Sequence, residues 1–183
     1  GDSRINGQND TADATGDVGQ LARSIGRDFG YINVGIPGDH ASAVASGYAK
    51  RLDLSKYCSH FVSNLGTNDL FQGNSAAIIQ GNIRTIATAF ARAGRSVYWA
   101  TITPSTTSTD SWATTANQTV KTSEANRVAV NNWLRTGGIP YLLSHFECAD
   151  PVETARDSGV WKAPGRTTDG THETQLANLE IRD

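Results

Sequence analysis

Residues 75–102 read SAAIIQGNIRTIATAFARAGRSVYWATI, and this stretch decides the fold class. Ser75 is a good helix N-cap, and behind it Ile78, Ile79, Ile83, Ile86 and Phe90 recur at helical spacing, which predicts an amphipathic helix. Gly94 ends the pattern, since a residue without Cβ enters the left-handed conformation that closes helices at little cost. From Ser96 to Ile102 the pattern changes to a short apolar run rich in β-branched and aromatic residues, the mark of a buried strand.

The same alternation extends in both directions. Strands are expected at Tyr31–Val34, His60–Leu65, Ser96–Ile102 and Ile139–Phe146. Between them lie helical patterns. One runs from Val18 to Phe29, capped by Asp17, with Val18, Leu21, Ile25 and Phe29 on one stripe. A second, from Ala41 to Leu52, is interrupted by Gly47. A third, from Val120 to Leu134, carries Val128, Val130, Trp133 and Leu134 and stops at Gly137 and Gly138. Strand and helix in turn predict an α/β sandwich with a parallel sheet covered on both faces. Ligands of such sheets bind beyond the carboxyl ends of the strands. The polar clusters of this chain fall there: Gly35–His40, Gly66–Asp69, and the long segments Thr103–Gln118 and Cys148–Thr171, each expected to be a functional loop or lid.

With 183 residues, 38% of them hydrophobic, the chain suits one domain spanning residues 1–183. The net charge of -2 and the scattered Lys and Arg offer no footprint for nucleic acid or an anionic membrane. No apolar run approaches the roughly 20 residues of a membrane span. Low Lys usage and abundant Thr, Ser and Asn lean towards a secreted or periplasmic protein. Cys58 and Cys148 are expected at opposite sheet edges, too far apart for a disulfide.

The chemistry-bearing residues sit near the two ends and in the loops between. Acyl transfer needs a nucleophile, a base held in one tautomer, and donors aimed at the oxyanion. Gly1-Asp2-Ser3 offers the nucleophile after a small residue that permits a tight turn. Asp169-Gly170-Thr171-His172 sets a carboxylate three residues before a histidine, within reach of its Nδ1 if the segment turns. Gly38, in Gly35-Ile36-Pro37-Gly38-Asp39, presents a backbone N–H with no side chain in the way, and Asn68, in Gly66-Thr67-Asn68-Asp69, adds an amide donor.

Each piece alone is common, but their order and spacing across nearly the whole chain resemble the four diagnostic blocks of the SGNH/GDSL hydrolases. The resemblance implies a three-layer α/β/α sandwich, flavodoxin-like, around a mainly parallel sheet of about five strands. It implies a serine esterase with an acyl-enzyme on Ser3, His172 as base, Asp169 orienting the base, and an oxyanion hole from Ser3, Gly38 and Asn68, with no cofactor. Members carry an apolar strand immediately before Gly-Asp-Ser, whereas this sequence begins at Gly1, so the expectation is a sheet without that strand. Arg4 also departs from the aliphatic residue that many members carry there.

The remaining candidates have ordinary structural uses beside their functional ones. Asp2, Asp39 and Asp69 are read as hydrogen-bonding partners of loop backbone. His40, Trp112 and Trp161 are candidate substrate contacts, although capping for His40 and loop packing for the tryptophans are the commoner uses. His60 and His145 fall in expected strands. No His-x-x-x-His, His-Glu-x-x-His or paired-cysteine spacing is present, so no metal is expected. Polar, Thr-rich loops favour a short acyl group, acetyl above all, on a small-molecule or carbohydrate ester. A lysophospholipase or thioesterase, and a non-catalytic carbohydrate-binding module on the same scaffold, are the alternatives.

Overall fold

In the computed structural model the isoleucine stripe of residues 76–92 is the centre of the larger apolar core. The structure describes residues 1–11, 18–25, 29–121, 123–137 and 139–183. The expected cap Asp17 and the stop residue Gly138 lie outside the described residues. In chain order the elements are α1 (Ser3–Asn6), α2 (Gln20–Ile25), α3 (Ala41–Gly47), α4 (Ala49–Ser55), β1 (His60–Ser63), α5 (Thr67–Phe71) and α6 (Ala76–Arg92). They continue with β2 (Ser96–Ala100), β3 (Thr106–Ser108), β4 (Gln118–Val120), α7 (Glu124–Thr136), β5 (Ser144–Phe146) and α8 (Gln175–Arg182). They divide between two compact units.

One unit comprises residues 38–102 and 125–146 and holds the parallel sheet, in the order β1-β2-β5. His60 to Ser63 pair with Ser96 to Trp99, and Tyr98 to Ala100 pair with Ser144 to Phe146. Ser75 caps α6 through its hydroxyl, as the sequence predicts. Ile79, Ile83, Ile86 and Phe90 are buried with Val97 and Trp99 of β2 and Val130 and Leu134 of α7, and each fully buried isoleucine contributes about 1.5–3 kcal/mol. Ile78, expected on the stripe, is exposed: neighbours on a helix lie about 100° apart, and Ile79 takes the inward direction. Beyond β2 the chain leaves the sheet, and α7 satisfies the backbone there. Asn131 accepts from Ile102 N–H at 2.7 Å and donates to its carbonyl at 2.9 Å, with Arg127 adding a second donor at 2.8 Å.

The class is the expected α/β with a parallel sheet and helices, but the sheet has three strands among the described residues rather than about five. Tyr31–Val34 does not join a ladder. Asn33 sits in its middle and bonds backbone instead, donating to Ile5 O at 2.7 Å and accepting from Gly35 N–H at 2.9 Å, a local arrangement that competes with strand pairing. The predicted strand Ile139–Phe146 condenses to its last three residues, and Val120, read as helical, closes β4.

The other unit comprises residues 1–37, 103–124 and 147–183. It holds α1, α2, the antiparallel pair β3–β4 and α8, around a small core of Val152, Trp161 and Ala177 with Trp112 and Ile181 packed against it. Buried Asp10 ties three of its parts together, accepting from Gly19 N–H at 2.8 Å, Arg23 Nε at 2.7 Å and Asn178 Nδ2 at 3.0 Å. Cys58 and Cys148 form no disulfide, and burial pushes the Cys148 thiol well above its ordinary range. Among the described residues no helix is long and apolar enough to cross a membrane.

Candidate active site

Ser3 opens α1, a single turn that starts and stops within the first residues of the chain. Asp2 caps it, its carboxylate accepting from Arg4 N–H at 2.9 Å. Gly7 closes it at φ +95° and donates back to Ser3 O at 3.0 Å. Gly1 is anchored as well, its carbonyl accepting from Ile36 N–H at 3.0 Å. Together these bonds fix the turn that carries Ser3.

His172 lies on a narrow loop. An antiparallel bridge between Thr167 and Glu173 closes it, and Thr174 N–H donates to Arg166 O at 3.1 Å just below. Within the loop one Asp169 carboxylate oxygen accepts from the N–H groups of Thr171 and His172, both at 2.8 Å, which bends the chain back on itself. Gly170 sits at φ +76°, where an added Cβ would stand 2.0 Å from Thr106 O. Its carbonyl accepts from Thr106 N–H at 2.9 Å and from the Trp161 ring N–H at 3.2 Å, so β3 and the small core hold the loop in place.

The result is a continuous relay. Ser3 Oγ is 2.8 Å from His172 Nε2, and His172 Nδ1 is 2.6 Å from Asp169 Oδ2. Burial works against a charge on Asp169. The bonds from the His172 ring, His172 N–H and Thr171 N–H together outweigh it and hold the carboxyl well below the usual carboxylate range. An ionised Asp169 can only accept, so Nδ1 carries the ring proton and Nε2 offers a lone pair to the Ser3 hydroxyl.

This relay joins residues near both ends of the chain, and the comparisons with known proteins span the same extent. The model of the GDSL-like lipase/acylhydrolase family matches residues 1–176. The chain belongs to this GDSL-like family. It is accordingly a carboxylic ester hydrolase. Among solved structures, a carbohydrate esterase family 3 protein from Talaromyces cellulolyticus is 20% identical with a TM-score of 0.58, covering 86% of this chain and 70% of its own. A GDSL-like lipase from Bacteroides thetaiotaomicron is 17% identical with a TM-score of 0.59, covering 82% and 70%. An acetyl esterase solved with acetate ion is 20% identical with a TM-score of 0.55, covering 81% and 65%. No curated protein sequence is significantly similar.

The other residues expected at a GDSL-like site have different placements. Gly38 and Asn68 lie in the unit that holds the sheet and are linked there through Asp39, whose carbonyl accepts from Asn68 Nδ2 at 2.8 Å. Gly38 is at φ +81° with open space where a Cβ would stand. His40, read as a candidate substrate contact, is the N-cap of α3, with Nδ1 accepting from Ala43 N–H at 3.1 Å. Asp69 anchors the same helix start, accepting from the N–H groups of Ala41 at 2.6 Å and Ser42 at 3.1 Å.

Trp161 has no exposed surface and donates to Gly170 O, so its use here is to pack beneath the histidine loop and not to stack on a substrate. Trp112 packs against the same small core, its ring N–H donating to Thr106 Oγ1 at 2.9 Å. Among the described residues no group of three or more His, Cys, Asp or Glu could hold a metal ion.

Four residues around the histidine loop were not found by sequence reasoning. Arg4 reaches Thr171 O and Pro104 O. Glu173 stands beside Arg4, and Thr103 donates to Glu173. Lys121 Nζ donates to Thr171 Oγ1 at 3.2 Å, and partial burial lowers its pKa despite the nearby Asp169 charge. Each is a contact between segments far apart in sequence, which no local pattern announces.

Proposed function

We propose that this chain, with residues 1–183 acting as one hydrolase domain, cleaves carboxylic esters through an acyl-enzyme on Ser3. The observation that carries the reading is the 2.8 Å and 2.6 Å sequence of contacts from Ser3 Oγ through His172 to Asp169. His172 Nε2 takes the hydroxyl proton as Oγ attacks the ester carbonyl. The tetrahedral intermediate collapses when the imidazolium gives that proton to the departing alkoxide, which leaves the acyl group on Ser3. Water then enters, His172 takes one of its protons as the water oxygen attacks the acyl carbon, and the imidazolium returns that proton to Ser3 Oγ as the acyl–oxygen bond breaks, releasing the carboxylic acid. Asp169 stays ionised throughout, consistent with its depressed pKa, and its charge favours the imidazolium. The oxyanion donor in this reading is the N–H group of Ser3 itself.

The substrate in this reading is a short-chain ester, acetyl in particular, on a carbohydrate. Two features support it. The groups around the histidine loop are polar, with Thr171, Ser105 and Lys121 in mutual contact, and the aromatic candidates Trp112 and Trp161 are engaged in packing. Two of the similar structures are described as a carbohydrate esterase and an acetyl esterase.

The test is Ser3→Ala assayed on an aryl acetate and an acetylated sugar. Hydrolysis of both should vanish while the thermal melt stays cooperative; retained turnover would refute the nucleophile assignment. A preference for acyl chains beyond about eight carbons would refute the substrate assignment alone.

A further inference from the structure

We infer that Arg4 and Glu173 are positioning residues that set the distance between Ser3 and His172, an inference that rests on the serine esterase reading above. Arg4 directly follows Ser3, and Glu173 directly follows His172. Their side chains meet out of water, with Arg4 Nε 3.5 Å from Glu173 Oε1 and exposures of 2% and 1%. The guanidinium also grips the residue on the other side of the histidine, since Nε and Nη2 donate to Thr171 O at 3.0 and 2.7 Å. Nη2 lies 3.3 Å from Pro104 O, and Thr103 Oγ1 donates to Glu173 Oε1 at 2.5 Å. The backbone on both sides of His172 is therefore tied to the residue next to the nucleophile.

Stability alone does not account for this pair. Removing two charges from water is costly, and buried ion pairs are often matched or bettered by apolar residues of similar volume. Burial raises the Glu173 pKa, and the Arg4 charge opposes that rise, which is the signature of this cost. What the pair supplies in return is direction. A planar guanidinium delivers two donors to one carbonyl at fixed angles, and neither a lysine nor an apolar residue can do so. In a site where a displacement of about 1 Å costs on the order of a hundredfold in rate, that geometry matters more than the pair's contribution to stability.

The experiment compares the full chain with the double variant Arg4→Met/Glu173→Met and with Arg4→Lys. It reads the thermal melt, kcat and KM on an aryl acetate, and the rate at which a fluorophosphonate labels Ser3. The double variant removes both charges together, so neither is left stranded. It should fold, lose about a hundredfold in kcat, change KM by less than about threefold, and label more slowly by the same factor as kcat. Arg4→Lys keeps the charge beside Glu173 but not the fork, and should lose about tenfold in kcat. If the double variant does not fold, Arg4→Lys carries the test. A folded double variant, or an Arg4→Lys variant, that works and labels at the wild-type rate overturns the inference. Failure of the wild-type chain to label at Ser3 overturns the esterase reading beneath it, so the two failures are told apart.

Discussion

Replacing Asp169 by asparagine tests the relay at its most informative point. In the structure Oδ1 accepts from the N–H groups of Thr171 and His172 at 2.8 Å, while Oδ2 faces His172 Nδ1 at 2.6 Å. An amide has one acceptor oxygen, and the two backbone donors claim it. The amide NH2 then points at Nδ1, which must become an acceptor, and the ring proton moves to Nε2. Nε2 lies 2.8 Å from Ser3 Oγ and in that tautomer cannot receive the hydroxyl proton. The fold keeps its two backbone bonds, now to a neutral acceptor, at a cost of about 1 kcal/mol or a fall of about 2–4 °C in Tm. The reaction loses its base, and kcat should fall about ten-thousandfold, roughly 5 kcal/mol of barrier. Steady-state kinetics on an aryl acetate beside a thermal melt separates the two effects. A variant with an intact melt and kcat within tenfold of wild type would refute the assignment of Asp169 as the orienting residue.

Two further outcomes follow from the same loop. Gly170→Ala puts a Cβ 2.0 Å from Thr106 O at φ +76°, so it should cost about 3 kcal/mol and lower Tm by about 6–12 °C, with a parallel loss of kcat; a fall under 2 °C would contradict the packing described. Because the folded Asp169 holds its proton less readily than the unfolded chain, its stabilisation is present above the ordinary carboxylate value of about 4 and is lost as pH falls below it. Tm should therefore drop less steeply below pH 4 in Asp169→Asn than in wild type, and equal slopes would count against this. Glu173 has the opposite sign and a different window, its burial penalty growing as pH rises above about 4.3.

What the sequence made legible was local or ordered along the chain. Ser75 and the isoleucines of α6 lie within one helix, so periodicity and cap chemistry suffice to find them. Asp169 and His172 are three residues apart, and their bond needs only a turn. Tyr31–Val34 looked like a strand from composition, but it joins no ladder, and Asn33 bonds the backbone of Ile5 and Gly35. Trp161 was legible as an aromatic in a loop but not as the buried donor to Gly170, because packing direction has no linear signature. Arg4 stood out only as a departure from a pattern. Its partners Thr171 and Glu173 are at the far end of the chain, and no local pattern pairs Arg4 with either of them.

The central claim is that Ser3 is the attacking group. Mass spectrometry of the protein after reaction with a fluorophosphonate tests it most directly. The account predicts one stoichiometric adduct on the peptide carrying Ser3, and far slower labelling when His172 is replaced by alanine. An enzymatically active preparation in which Ser3 stays unmodified, or in which another serine takes the label, contradicts it.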